Sequence, residues 1–402
     1  MTSKTKMKIC IITKNKFFID EEKLISSGLL TYEENHILGC NFNELEKIIF
    51  IGFKEEKPFD GYVYNNLGKK NNVFVVGPKW KEEEKYIIDR LINIYKIIIE
   101  ISKNKKVLKD IQIIYSPFFE YTAFLLFILK LINSKSKFIN YIIGDYPECN
   151  YQKKKKHFLK FVLLVFMKIS ILISTETWII SDYLFKKYNY GKKCIKIPFS
   201  SISNNEINLP KRCSTSIIKL LFVGRFAQEK NPHIPCLVAK KLKEKGNNIF
   251  LGMIGDGELY NSLNILCKNY FLEQEYQFYG WIKDRKELLK EISGFDFLIF
   301  PSTKGEGLGL VIIEAMSQGL VVVATKCGGP EEMIKNEFNG FLIDLAEDNL
   351  IVDRTVELIE LLTKNPLKYY STSTNAIDTA KELTIEKMFH IQRQRILNLL
   401  KK

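Results

Sequence analysis

The chain has 402 residues, too many for one ordinary hydrophobic core, so two domains are the starting expectation. Apolar residues make up 46% and charged residues 26%, and no long acidic, Pro-rich or Gly/Ser-rich tract occurs, which excludes an extended disordered chain. The formal net charge of +14 favours polyanionic partners such as nucleic acid, anionic lipid or phosphorylated substrates. It does not choose among them, because much of the excess is Lys scattered among Ile and Asn and equally fits a compositional bias.

The N-terminus, Met1 to Lys6, runs directly into the strand-like Lys8-Ile9-Cys10-Ile11-Ile12 with no apolar export segment between them. Eight cysteines, at Cys10, Cys40, Cys149, Cys194, Cys213, Cys236, Cys267 and Cys327, lack the spacing of a zinc knuckle or a Cys-x-x-Cys pair. Scattered thiols without a leader read as buried cysteines in a reducing compartment, and the expected location is the cytoplasm. The most apolar stretch, Phe158–Ile173, is short for a span and contains Lys160 and Lys168.

In chain order, Ile9–Ile12, Lys47–Ile51, Val73–Val76, Ile111–Tyr115 and Phe138–Ile143 are short β-branched or aromatic runs and read as buried strands. Helical spacing fills Glu82–Ile101 and Tyr121–Ile132 between them. A second series has strands at Ile218–Val223, Ile249–Ile254, Glu275–Phe278, Phe297–Phe300 and Val321–Ala324. Its helices fall at Pro232–Lys245, Glu258–Asn269, Arg285–Ile292, Gly309–Gln318 and Pro330–Lys335. The polar segment Phe199–Ser216 is the expected linker, and the chain from Leu350 onward is helical in pattern. Alternating strands and helices predict an α/β protein of two Rossmann-like, doubly wound parallel-sheet domains, with ligands at the carboxyl ends of the strands in the cleft between them. The expected division is residues 1–200 for the acceptor domain, 201–375 for the donor domain, and 376–402 for a C-terminal helix returning to the first domain.

Four motifs in the second half suit an anionic ligand. Leu221-Phe222-Val223-Gly224-Arg225 ends a strand in glycine, and Lys230 follows five residues later. Arg225 and Lys230 suit a diphosphate as a planar fork and a point charge, although the pattern also fits a strand end with two solvated cations. Met253-Ile254-Gly255-Asp256-Gly257-Glu258 is another strand with a Gly-rich turn, equally at home as a plain connection. Pro301-Ser302-Thr303-Lys304-Gly305-Glu306-Gly307-Leu308-Gly309-Leu310 leads into a helix carrying Glu314. Helix-start amides form an anion site, and glycine lets a phosphate approach. Glu314 sits among Ile312, Ile313, Ala315 and Met316, so the helix is expected to be buried; a buried carboxylate without partners is costly. Ala324-Thr325-Lys326-Cys327-Gly328-Gly329-Pro330 opens one further helix, and Asn339-Gly340-Phe341-Leu342 follows.

These motifs, in this order and spacing, resemble the family four retaining glycosyltransferases (glycosyl transferases group 1) with their two-Rossmann GT-B fold. Glu306 and Glu314 match that family's Glu-x7-Glu signature, and the resemblance is clear from about Ile217 to Asp344. It implies that Arg225 and Lys230, after Gly224, bind the donor diphosphate and stabilise the leaving nucleotide, with Gly255 in an adjoining turn. Glu314 would bind the ribose hydroxyls, and Glu306 would face the donor sugar. The amides of Gly307, Leu308, Gly309 and Leu310 would line phosphate and sugar, and Ile282 would meet the base. The implied reaction is sugar transfer with retention from a UDP- or GDP-linked donor, without a metal or a dedicated protein base, to a glycan or lipid-linked acceptor in cell-surface polysaccharide synthesis. This accords with a chain of only four histidines. Two departures stand out. Tyr141-Ile142-Ile143-Gly144-Asp145 lacks the N-terminal histidine of many relatives, leaving Asp145 as its substitute, and Thr13-Lys14-Asn15-Lys16 replaces the glycine loop after the first strand.

Lys153-Lys154-Lys155-Lys156 precedes the apolar stretch Phe158–Ile173, a pattern that fits peripheral docking on an anionic membrane and also a solvated run capping a core helix. Two other readings are a GT-B-fold sugar-nucleotide epimerase and a basic nucleic-acid-binding protein. Nucleic acid is not an expected partner, because the basic residues lack interleaved aromatics on a recognisable binding motif.

Overall fold

The computed structural model describes residues 7–20, 23–26, 45–55, 62–64, 73–79, 87–117, 122–144, 157–191, 193–213, 216–303 and 306–401. The chain divides into two units. One comprises Met1–Ile180, Leu184–Ile197 and Phe389–Lys402; the other comprises Ser181–Tyr183 and Pro198–Met388.

The first unit is built on a nine-stranded sheet. Its parallel part runs β5 (Val73–Val76), β3 (Leu45–Lys54), β1 (Met7–Asp20), β6 (Ile113–Pro117), β7 (Lys137–Ile142), β8 (Glu176–Ile179) and β9 (Cys194–Lys196). Ile9, Cys10, Ile11 and Ile12 are all fully buried, as expected of a central strand covered on both faces. Helices α1 (Ile87–Lys103) and α2 (Thr122–Ile132) set Ile97, Ile101, Leu125, Leu126 and Leu129 into one cluster with Cys10, Ile12, Ile49 and Ile51. Helices α3 (His157–Ile173) and α4 (Asp182–Tyr188) follow β7 and β8.

β1 runs well beyond Ile12. Its far end, Phe17–Asp20, pairs antiparallel with β2 (Lys23–Ser26), which pairs with β4 (Tyr62–Tyr64). Residues 13–16 therefore continue the strand and do not form a turn, which accounts for the absence of glycine there.

Tyr115, Tyr141 and Trp178, on the adjacent strands β6, β7 and β8, form an aromatic group with centroids 5.9–6.0 Å apart. The Trp178 indole Nε1 donates to Glu176 Oε2 at 3.1 Å. Glu176 also accepts a fork from Arg395, Nε at 2.9 Å and Nη2 at 2.8 Å. Arg395 lies on the last helix, α12 (Ile385–Lys401), and this bidentate pair fixes the end of the chain to the first unit.

The second unit has a six-stranded parallel sheet in the order β12-β11-β10-β13-β14-β15. The strands are β10 (Ile218–Val223), β11 (Ile249–Ile254), β12 (Tyr276–Gly280), β13 (Phe297–Phe300), β14 (Val321–Thr325) and β15 (Phe341–Ile343). The helices are α5 (His233–Glu244), α6 (Tyr260–Tyr270), α7 (Arg285–Ile292), α8 (Leu310–Ser317), α9 (Pro330–Met333), α10 (Asp348–Lys364) and α11 (Pro366–Glu382). The chain winds outward from β10 through β12, then reverses at β13. The reversal point, where an α/β sheet opens a crevice, lies between the carboxyl ends of β10 and β13.

Phe199–Ser216, read from sequence as a linker, is partly packed. Phe199, Ser200, Ser201, Ile202 and Cys213 are buried. β8, β9 and β15, each three or four residues long, were not anticipated.

Replacing Arg395 by Leu should lower the unfolding free energy by roughly 1–3 kcal/mol, measured by urea titration. A double-mutant cycle with Glu176→Gln should show the two changes to be less than additive; full additivity would dissolve the proposed link.

Candidate functional site

The strand ends of the second unit are joined by backbone hydrogen bonds. Gly224 N–H donates to Ile254 O at 3.0 Å, Gly255 N–H to Gly280 O at 2.9 Å, and Phe226 N–H to Asp256 O at 2.8 Å. The turn after β10 thus rests on the turn after β11, which rests on the end of β12. Gly255 has φ +138°, and a Cβ there would lie 1.9 Å from Gly224 O, so only glycine lets the two turns approach.

Arg225 and Lys230 leave this turn in different company. Arg225 is about two-thirds exposed and pairs with Glu229. Lys230 ends a short 3₁₀ turn, Gln228–Lys230, and its ammonium pairs with Glu306. It also lies 5.7 Å from the Phe300 ring centroid. The structure therefore gives each cation its own carboxylate instead of a shared partner. Thr303 N–H donates to Glu229 O at 3.0 Å, a second tie between the turn after β10 and the loop after β13.

The loop before α8 is held from its other side. Glu306 bridges to Gly328, and a Cβ on Gly329 would come within 2.7 Å of the Leu308 backbone. The Gly328-Gly329-Pro330 turn thus packs against the loop at Glu306 and Leu308. Gly309 takes φ +77° and its carbonyl accepts from Ile312 N–H at 2.8 Å as α8 begins with Leu310. The first amides of that helix have no acceptor within the helix itself and suit an anion. Cys327 sits beside this loop; burial, with Glu306 and Glu331 adding negative charge, pushes its thiol up to about 12 and keeps it neutral. Lys304 and Gly305 lie outside the described residues, as do Asp145 and Lys153–Lys156.

Glu314, the fifth residue of α8, is 8% exposed and belongs to a separate network. Its Oε1 accepts from Arg285 Nη1 at 3.1 Å. Arg285 also donates from Nε to Glu206 Oε1 at 2.9 Å and from Nη2 to Ser201 O. Burial raises the Glu314 carboxyl above its ordinary value, and the Arg285 guanidinium opposes that shift. Arg285 opens α7 three residues after Ile282, which is half-buried in the loop following β12. One arginine therefore ties the loop after β12, the entry segment and α8 together.

Sequence reasoning missed Arg285 and Glu206. The available signal was the burial of Glu314: a carboxylate surrounded by apolar neighbours requires a cation, and Arg285 begins a helix of the same unit. Gly224, Gly255, Ile282, Lys230, Glu306, Gly307 to Leu310 and Glu314 all lie at or after the carboxyl ends of β10 to β13, with Arg225 on the exposed side of its turn.

Residues 212–381 match the family model described as glycosyl transferases group 1. That segment, which holds the site, is similar to the family over those residues. The chain is 25% identical over 320 residues to an uncharacterized 41.2 kDa protein in the cps region of Klebsiella pneumoniae, covering 72% of this chain and 84% of that one. It is 30% identical over 176 residues to the UDP-Gal:alpha-D-GlcNAc-diphosphoundecaprenol alpha-1,3-galactosyltransferase of Escherichia coli, covering 41% of this chain and 44% of the relative. Among solved structures, Anabaena Alr3699/HepE in complex with UDP and glucose superposes with a TM-score of 0.67 at 16% identity, over 98% of this chain and all of the other. That likeness is one of fold, and the fold is the GT-B type.

The Arg285–Glu314 contact gives a pH-dependent prediction. With Arg285→Ala, Glu314 stays buried without its cation, so its folded pKa rises further above the unfolded one. The resulting penalty is absent while the carboxyl is protonated in both states and complete above the raised folded pKa. Arg285→Ala should therefore destabilise more at pH 7.5 than at pH 4.5, the ordinary glutamate value. Thermal unfolding at the two pH values checks this; an equal loss at both would show that Glu314 does not feel Arg285.

Proposed function

We propose that the protein is a retaining glycosyltransferase. It moves a sugar from a nucleotide diphosphate donor, UDP- or GDP-linked, to a hydroxyl of a glycan or lipid-linked acceptor in the assembly of a cell-surface polysaccharide. The observation that carries this reading is the Lys230–Glu306 pair, which spans the reversal point of the sheet beside a glycine-rich helix start. Cation, carboxylate and amide donors are gathered there as a nucleoside diphosphate sugar requires.

Each group has a role in this reading. Lys230 exchanges Glu306 for the diphosphate and neutralises the charge that grows on it as the sugar departs. Arg225, about two-thirds exposed, exchanges Glu229 for the diphosphate and adds a planar fork. The amides from Gly307 to Leu310 orient phosphate and sugar, and Glu306, once released, faces the sugar ring. Glu314, held by Arg285, accepts from the ribose diol, with the base at the backbone of Ile282. The bond between the anomeric carbon and the diphosphate oxygen breaks, the acceptor oxygen bonds to that carbon on the same face, and its proton passes to the leaving diphosphate. Arg225 and Lys230 supply the countercharge in place of a divalent cation.

Three likenesses support the donor and the setting. The Anabaena neighbour was solved with UDP and glucose, the E. coli relative is named for transfer from UDP-Gal to a diphosphoundecaprenol-linked sugar, and the Klebsiella relative lies in a cps region.

Lys230→Ala and Glu306→Gln should each cut turnover by about 10²–10³ while leaving the circular dichroism spectrum unchanged, as expected for loss of one charge-stabilising group in a preorganised site. Turnover, followed as release of nucleoside diphosphate from a panel of UDP and GDP sugars, should survive EDTA. Near-normal rates in both variants would refute the site; abolition by EDTA would refute the metal-free step; an isomerised sugar nucleotide as product would favour the epimerase.

A further inference from the structure

An aromatic ring rests on the glycine turn after β14. It belongs to Tyr183, in the segment Ser181–Tyr183 of the second unit. Gly328 takes φ +113°, and a Cβ there would lie 2.9 Å from Tyr183 Cγ and 3.1 and 3.2 Å from its two Cδ atoms. The inner end of the ring thus fills the space that any larger residue would need, and only glycine admits it. The main chain of Tyr183 is fixed as well. Glu332, on α9, accepts through one oxygen, Oε1, from Asp182 N–H and from Tyr183 N–H, the latter at 3.3 Å. Bonds to an ionised carboxylate are roughly twice as strong as neutral ones. Glu332 N–H donates to Gly329 O at 3.1 Å, and Gly328 N–H donates to Glu331 Oε2 at 3.0 Å. Backbone and ring of Tyr183 are therefore tied to the same two glycines.

We propose, on the glycosyl-transfer reading of the site, that Tyr183 is a positioning residue for the glycine-rich loop. Its ring bears on Gly328, and Gly328 in turn holds Glu306 in place before the donor sugar. The sequence explains why the loop needs an outside support. Gly305, Gly307 and Gly309 surround Glu306, and glycine carries more backbone freedom than any other residue. Glu306 has two ties: the ion pair with Lys230 and the bridge to Gly328. In the proposed reaction Lys230 passes to the diphosphate, so during transfer the bridge is the tie that stays. Its stiffness depends on what lies behind Gly328, and that is the Tyr183 ring with Glu332 beneath its main chain. Tyr183 reaches the reacting atoms only through Gly328 and Glu306. The ring makes the contact, so phenylalanine would serve in its place and a small side chain would not. A displacement of about 1 Å in a catalytic group can cost about 10²-fold in rate, which makes such support functional.

Loop order and turnover are measured separately on the full chain. Hydrogen–deuterium exchange without nucleotide follows the peptide that holds Glu306–Leu310. Tyr183→Ala should quicken exchange there by at least about threefold and leave the β11 peptide at the wild-type rate. Tyr183→Phe should match the wild type in both peptides. With a sugar nucleotide that the wild type turns over, Tyr183→Ala should lower kcat by about ten- to a hundredfold. Its donor KM should change by less than about threefold, because Lys230 and Arg225 remain. Tyr183→Phe should restore kcat. Glu332→Ala should reproduce the loss, and combining it with Tyr183→Ala should lower kcat little further. A merely structural role would lower the melting temperature and the folded fraction and leave kcat per folded molecule unchanged. The proposal is overturned by that result, by wild-type exchange and kcat in Tyr183→Ala, or by a Tyr183→Phe variant as impaired as Tyr183→Ala. A wild type that turns over none of the UDP or GDP sugars, yet shows the localised exchange effect, would refute glycosyl transfer and uphold the support of the loop by Tyr183.

Discussion

The ion pair between Lys230 and Glu306 joins two segments 76 residues apart in sequence, and the arrangement of the site depends on it. One partner ends the turn after β10 and the other begins the glycine-rich loop after β13, the two strands between which the sheet reverses direction. At such a point the connections on either side diverge and leave the strand ends open. Both side chains of the pair are largely withdrawn from solvent, so the attraction is less screened than on an open surface. The pair also balances charge within the site itself: the Lys230 ammonium is already matched by the Glu306 carboxylate. That pairing limits the cost of keeping a half-buried ammonium in the fold.

The glycines around this pair act through close approach more than through flexibility. Gly255 admits the carbonyl of Gly224, and Gly329 admits the backbone of Leu308. In each case two turns from different strands are drawn within contact distance, and in each case the motif looked unremarkable in isolation. The Gly-Gly-Pro turn contributes to the site as a support for the loop at Glu306 and Leu308, without placing a functional side chain there. Glu314 completes the frame from the other direction. Its charge inside a packed helix is tolerated because Arg285 reaches it, and the same guanidinium holds Glu206 and the carbonyl of Ser201.

How much of this was legible in the sequence follows from the range of the interactions involved. The six-residue strands Ile218–Val223 and Ile249–Ile254 are continuous apolar runs with turn signals at their ends, and the structure has the same boundaries. The glycine-rich loop and the two glutamates were legible because their spacing is local. Edge elements such as β15, with three residues, carry no comparable signal and exist because β14 offers them a partner. The extension of β1 past Ile12 likewise depends on β2 and β4, segments whose pairing cannot be read from alternation within β1 itself. Arg285 was invisible for a different reason: an arginine at a helix start is commonplace, and its function comes from Glu206 and Glu314, 79 and 29 residues away.

Helix α3 shows the limit from the other side, where composition is clear and its consequence is not. A run of Phe, Leu, Val and Ile with two lysines is equally the sequence of a core helix and of an interfacial one, because burial on all sides and burial on one side plus lipid on the other select the same residues. Only the surrounding fold separates them. In this chain the sheet covers the face of Leu163, Met167 and Ile171, whereas the face of Phe161, Val165, Ile169 and Leu172 stays open.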